Sequence, residues 1–267
     1  MKFKLFNIFS FFVISLFLDP DFISAEIKAR IDYGHFSTNQ LEQVIKASSF
    51  FKDSGEEIDY ISSKFLGIPY KDHTLTGDMN TPEVFTINLS GVDCFTYLDY
   101  VEGLAISKAF AQFEDSVKKT RYQKASVAFI KRNHFFSDWV VYNNDRIKDV
   151  TKEVGGDKAK STKKFLNKKK DGSFYLPGIP VVEREITFIP SASIDEGVID
   201  KMNTGDYAGI YTDLNGLDVS HTGIIIKKKD KVLLRHASSK DKYMKVVDED
   251  LVEYFSTKAG IIIYRSK

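Results

Sequence analysis

The chain has 267 residues, with 38 Lys and Arg against 37 Asp and Glu, a net charge of +1, 43% hydrophobic residues and 13% aromatic. So even a charge balance supplies no basic footprint for nucleic acid and no strong field for a highly charged partner. The apolar content supports a substantial core, and a single cysteine, Cys94, rules out an internal disulfide framework.

The N-terminus reads Met1-Lys2-Phe3-Lys4, an apolar run over 5–18, and Ile23-Ser24-Ala25 before Glu26. Basic start, short apolar core and small residue at a cleavage point predict a secretory signal over 1–25. The run is about 14 residues, short of the roughly 20 that span a bilayer. Residues 26–267 are therefore expected as one exported domain, periplasmic or secreted, with no stable membrane insertion after cleavage. Ser37-Thr38-Asn39-Gln40 has the form of a capping box, followed by Leu41, Val44, Ile45 and Ser48 at helical spacing. A second short helix is predicted over 58–66, broken by Gly67-Ile68-Pro69-Tyr70, and a strand over 84–89 runs into the Gly91 loop. From Phe95 onward, Leu98, Val101, Leu104 and Ala105 form one helical stripe, and Trp139, Val140 and Tyr142 suggest another helix. Residues 152–172 turn to Lys, Asp, Gly and Ser, which predicts an exposed Lys-rich insertion. The last third is strand-rich, over 207–212, 218–226, 232–236, 243–247 and 261–264, with turns at Asn215-Gly216 and Lys229-Asp230. Helices first and consecutive strands afterwards predict an α+β fold with an antiparallel sheet.

A lone cysteine in an exported protein is either buried and inert or retained for its reactivity. Gly91-Val92-Asp93-Cys94 leads directly into a helix, whose N-terminal N–H groups and dipole favour a thiolate. Asp93 suits a helix cap or a substrate amine. On position alone, a buried structural cysteine fits equally well. A thiol nucleophile also needs a base and a group that orients the base. Two of the five histidines, His221 and His236, lie in neighbouring predicted strands. A two-residue turn at Lys229-Asp230 pairs Lys228 with Lys231 and sets Gly223 opposite His236. Strand alternation then puts His221 with Val219 and Ile225, and His236 with Val232 and Leu234, on one apolar face as diagonal neighbours. A slip of one residue would separate them.

Gly91-Val92-Asp93-Cys94 opening a helix, Ser220-His221-Thr222-Gly223-Ile224 on a strand and His236-Ala237-Ser238 on the next resemble the NlpC-type cell-wall cysteine hydrolases, a papain-like group. The stretches from Phe65 to Tyr70, Arg132 to Trp139 and Gly216 to His221 resemble one branch, the N-acetylmuramoyl-L-alanine amidase-like family. The likeness runs from about Ile58 to the C-terminus. Phe95-Thr96 departs from the Ser-Gly that often follows the nucleophile in the wider group, which implies a reshaped pocket floor. The resemblance implies a papain-like fold with Cys94 as nucleophile at the N-terminus of a helix packed on the sheet. It makes His221 the base and His236 the orienting third member. It further implies that Tyr70, Asp93 and Ser220 contact substrate. Arg132 and His134 belong to a segment particular to the branch, where an Arg suits the carboxylates of muropeptides. The implied reaction is hydrolysis of the N-acetylmuramoyl-L-alanine amide bond of peptidoglycan, without a cofactor. The rival with the same triad is an endopeptidase cutting between γ-D-glutamate and the diamino acid. A third reading makes His134, His221 and His236 a zinc site.

Overall fold

The computed structural model describes residues 29–267, so the signal read over 1–25 lies outside the described residues. Helix α1 (Thr38–Ser48) begins where the capping box placed it: Gln40 N–H donates to Ser37 Oγ at 3.2 Å and Ser37 N–H to Gln40 Oε1 at 2.8 Å. It buries Leu41, Val44, Ile45 and Ser48. Helix α2 (Ser54–Ser63) starts earlier than expected because Asp53 caps it, accepting from Glu56 N–H at 2.9 Å. Strands β1 (Arg30–Asp32) and β2 (Thr86–Asn88) form a small parallel pair leading to the Gly91 loop.

Helix α3 (Cys94–Ala105) is buried along nearly its whole length, with α4 (Phe113–Arg121) and α5 (Phe136–Tyr142) against it. Gly103 permits the close approach of α4, since a Cβ there would meet Val117 Cγ2 at 2.8 Å. A buried ion pair orients α3. Arg121 Nε donates to Asp99 at 2.7 Å and its Nη1 to Thr86 O at 2.6 Å, while Trp139 Nε1 donates to the other Asp99 oxygen at 3.2 Å. Removing one partner of such a pair strands a buried charge and costs about 3–5 kcal/mol. The helix that begins with Cys94 is thus pinned from three elements at once.

The remaining elements are β3 (Ile147–Asp149), α6 (Thr151–Gly155), β4 (Lys160–Leu166), β5 (Val182–Pro190), α7 (Glu196–Lys201), β6 (Tyr207–Tyr211), β7 (Val219–Lys228), β8 (Lys231–Ser238), β9 (Lys245–Asp250), α8 (Leu251–Phe255) and β10 (Gly260–Ser266). They form an eight-stranded sheet of order β4-β5-β10-β6-β7-β8-β9, with β3 also on β10 and every pair antiparallel. Alternation sends Tyr207, Ile224, Ile226, Leu233 and Ile262 into a core shared with α1 to α5. Ile210, Ile225, Leu234, Ile261 and Ile263 go to the opposite face, covered by α6, α7 and α8. Both faces are apolar, and the longer helices lie on one of them.

The Lys-rich stretch at 152–172 is exposed at most of its positions, as the composition predicts, but it is regular rather than a loop. It contains most of α6 and all of β4, which pairs with β5 over seven residues. The end of β4 buries alternate positions, Lys164 and Leu166, with Lys163 and Phe165 exposed, and Lys164 Nζ donates to Thr212 O and Leu214 O at 2.9 and 3.0 Å. Among the described residues no helix is long and apolar enough to cross a membrane.

Candidate active site

Asp93 is the N-cap of α3. Its Oδ1 accepts from Phe95 N–H at 2.9 Å and Thr96 N–H at 2.7 Å, and Thr96 Oγ1 accepts from Asp93 N–H at 3.0 Å. Thr96 therefore has a structural task, closing the capping box, while Phe95 lines the cleft and packs towards Phe136 and Trp139. Cys94, the first residue of the helix, is half-buried. Its carbonyl accepts from Thr222 Oγ1 at 2.8 Å, which ties the start of α3 to β7 one residue from His221. The thiol opens into a cleft of about 640 Å³ lined also by Tyr70, Asp72, Asp93, Phe95, Phe129 and Arg132, with Met79, Leu176 and Pro177 from two loops.

The turn at Lys229-Asp230 gives the expected register: Lys228 pairs with Lys231 and Ile224 with Arg235, which sets Gly223 beside His236. A Cβ at Gly223 would stand 2.7 Å from Leu234 Cδ1 and 3.0 Å from His236 Cβ, so the bare glycine makes room for the imidazole. His221 Nε2 and His236 Nδ1 meet at 2.7 Å, their rings perpendicular. One detail of the face assignment changes. Between Ile210 and Tyr211 the β6–β7 register shifts, so that Ser220 is an extra residue. The bulge sends Val219 to the α3 side while His221 keeps company with Ile225 on the other.

Past the two histidines the chain of contacts continues. His236 Nε2 lies 2.8 Å from Glu249 Oε1, and Lys240 Nζ donates to both oxygens of Glu249 at 2.9 and 2.8 Å. Tyr254, from α8, sets its ring edge-on 5.1 Å from His236 and tilted 6.4 Å from His221. Sequence reasoning missed Glu249, Lys240, Tyr254 and Thr222. Extending β9 two residues past 247 reveals Glu249, which pairs with Leu234 and so sits diagonally from His236.

These contacts fix proton positions. A carboxylate held below its usual range by hydrogen bonds from Lys240 and His236, which together outweigh its partial burial, only accepts. An acceptor-only carboxylate favours the His236 tautomer with its proton on Nε2, which leaves Nδ1 to accept from His221 Nε2–H. In that arrangement neutral His221 has an unprotonated Nδ1, which makes no hydrogen bond among the described residues. Burial drives His221 down to about 3, reinforced by His236, Lys258 and Lys240, so the ring is neutral at pH 7. Burial, and then the Asp93 carboxylate, pushes the Cys94 thiol up to about 12. The helix terminus does not yield the low-pKa thiolate expected from its dipole, because desolvation and the cap's own charge outweigh it. The thiol and the imidazole are thus both neutral at pH 7, no hydrogen bond joins Sγ to His221 among the described residues, and neither His221 nor His236 lines the cleft.

Tyr70 sits beside the thiol. Burial raises its phenol to about 12, and Cys94 and Asp93 add to the shift. Arg132 lines the cleft, yet two of its nitrogens serve a buried partner: Nε and Nη2 donate to Glu83 at 3.2 and 2.5 Å, and Tyr122 Oη donates to the same carboxylate at 2.6 Å. Among the described residues Nη1 has no hydrogen-bond partner. His134 does not line the cleft. Its Nε2 bonds Phe129 O at 2.7 Å, and burial lowers its pKa to about 4. Ser220 is exposed and also off the cleft, its Oγ 3.4 Å from Ile210 O. Among the described residues no three His, Cys, Asp or Glu side chains are grouped to hold a metal ion, so His134 does not join His221 and His236 in the ligand set that the zinc reading needs.

The family model described as N-acetylmuramoyl-L-alanine amidase-like matches residues 60–261. The chain belongs to that family. No curated protein matches it in sequence. A crystal structure of an N-acetylmuramoyl-L-alanine amidase from Bacteroides uniformis is 27% identical with a TM-score of 0.68, covering 80% of this chain and 99% of its own. A Legionella pneumophila protein superposes with a TM-score of 0.72 over 86% of this chain and 94% of its own, at 23% identity, a likeness of fold alone. A Bacteroides fragilis structure described as a candidate xylanase is 25% identical, covers 77% of this chain and 98% of its own, and has a TM-score of 0.63. The amidase-like match spans the segments that carry Tyr70, Cys94, Arg132, His221 and His236.

Proposed function

We propose that this amidase-like protein is a papain-like thiol amidase of peptidoglycan, cutting between the lactyl carbonyl of N-acetylmuramic acid and L-alanine. The observations that carry the reading are the His221–His236–Glu249 relay and the Thr222 hydrogen bond, which ties the start of α3, where the lone thiol lines the cleft, to the residue next to His221. Cys94 Sγ attacks the amide carbonyl carbon as its proton passes to His221 Nδ1. A neutral pair calls for this transfer during attack, since the thiolate is not formed beforehand. The backbone N–H of Cys94 has no protein acceptor among the described residues and is free to donate to the oxyanion. The imidazolium then returns the proton to the leaving L-alanine amine and the C–N bond breaks. Water, deprotonated by His221, cleaves the thioester, releasing the muramyl carboxylate and restoring the thiol.

The cleft offers little to a glycosidase, which needs two free carboxylates in acid and base roles. Asp93 is engaged through Oδ1 in the helix cap and Asp78 in the turn to Thr81, and Asp72 is an exposed side chain next to His73. The basic and apolar start of the chain supports export as part of the same reading. Peptidoglycan fragments incubated with the purified protein, with and without a thiol alkylator or a chelator, test it. Loss of hydrolysis with the alkylator and none with the chelator is expected; the reverse pattern, or release of sugar reducing ends, would overturn it.

A further inference from the structure

We propose that Glu249 is a positioning residue for this reaction, holding His236 in the one tautomer that leaves His221 able to act as a base. The inference rests on the reading of Cys94 and His221 as the reacting pair, and goes beyond it to a residue outside every motif that reading uses.

His236 stands between two partners, and the hydrogen bonds they make decide which ring nitrogen keeps the proton. With the proton on Nδ1, His236 would donate to His221 Nε2. That would force the proton of neutral His221 onto Nδ1, the nitrogen that must receive the thiol proton. With the proton on Nε2, the chain of donors runs from His221 to His236 to Glu249 and the base stays open. An ionised carboxylate accepts only, so Glu249 at 2.8 Å selects the second arrangement.

The fold holds Glu249 for this use. Its side chain is 11% exposed, and Lys240 grips both oxygens with Lys242 4.0 Å away, so the carboxylate keeps its charge and its aim. The antiparallel register of β7, β8 and β9 lays His221, His236 and Glu249 diagonally across three adjacent strands on one face. A glutamine in its place is almost isosteric but presents either an acceptor or a donor, and so no longer selects.

The test reads the tautomers directly. Ring nitrogen-15 NMR of the full chain carrying Cys94→Ala, at pH 7, should show Nε2 protonated and Nδ1 bare on both histidines. Adding Glu249→Gln should raise the Nδ1–H fraction on both rings together. In the protein with its thiol intact, Glu249→Gln should lower kcat at least tenfold with KM little changed. Nδ1–H on His236 in the Cys94→Ala protein would overturn the proposal without need of any Glu249 variant. So would a fall in kcat with unshifted tautomers, which is what a merely structural role gives, or unshifted tautomers with unchanged kcat. Absence of any hydrolysis by the unaltered protein would instead sink the amidase reading, and the tautomer measurement would still decide the role of Glu249.

Discussion

Asp93→Asn separates the two duties of the residue before the thiol. As a cap, Asp93 uses Oδ1 alone, accepting from Phe95 and Thr96. Asn keeps that acceptor and is as good an N-cap, so folding stability should fall by about 1 kcal/mol at most. As a charge, Asp93 is the second cause, after burial, of the raised thiol. Two unit charges about 5 Å apart interact by about 3 kcal/mol at an effective dielectric of about 20. Opening to the cleft screens part of this, leaving a drop of about one to two pKa units on removing the carboxylate. Each unit multiplies the thiolate fraction by about ten, but a less basic thiolate is less nucleophilic, with a Brønsted slope of about 0.4–0.5, so the net gain is about three- to tenfold. The assay is the second-order rate of inactivation by iodoacetamide between pH 6 and 9, followed by mass of the alkylated chain. Wild type should react more slowly than a free peptide thiol, and Asp93→Asn faster than wild type. An Asp93→Asn protein that keeps its fold and reacts no faster would refute the electrostatic reasoning.

His221→Ala should lose about 10²–10⁴-fold in kcat/KM, as expected for a general base; His236→Ala should lose less, and His236→Asn less again, since an amide oxygen still accepts from His221 Nε2. Equal losses for all three would refute the assigned roles. Arg132→Ala should destabilise by about 3–5 kcal/mol in denaturant titrations, because it strands Glu83, which is only 2% exposed. Arg132→Met with Glu83→Gln should restore stability yet leave kcat/KM about ten- to a hundredfold down, if Nη1 holds a substrate carboxylate; full activity in that pair would return Arg132 to a structural role. His134 is depressed to about 4 in the fold against about 6.5 unfolded, so the unfolded chain binds more protons between those values. Its contribution is present above pH 6.5 and lost as pH falls through 4, at up to about 1.4 kcal/mol per pH unit. The denaturant midpoint should therefore fall less steeply from pH 7 through 5.5 to 4 in His134→Gln, which keeps a donor for Phe129 O, than in wild type.

How far each feature can be read from the chain depends on the range of its cause. The histidine pair was legible because a two-residue turn fixes register and alternation does the rest. The bulge at Ser220, which turns Val219 to the other face, arises from packing against Phe136 and β6 and leaves no local mark. The Asp93 cap is local, one of the two duties that its place before the thiol suggests, whereas the thiol's raised pKa comes first from burial, which local pattern does not show. Lysines hid β4, since a strand that buries alternate positions tolerates Lys163 outside and lets Lys164 snorkel to carbonyls. Its partner β5 did show a signal in Ile186-Thr187-Phe188-Ile189, rich in β-branched and aromatic residues. Glu249 fell beyond the predicted end of its strand, and boundaries are where local pattern carries least information.

Product analysis tests the central claim most directly. One defined muramyl peptide is digested by wild type and by Cys94→Ala, and the products are weighed by mass spectrometry. The account predicts peptide-free sugar and an intact stem peptide with a free L-alanine amine from wild type, and unaltered substrate from Cys94→Ala. Muramyl-L-alanyl-D-glutamate with a released diamino acid would contradict the assigned bond, and the same products from Cys94→Ala would contradict the thiol mechanism.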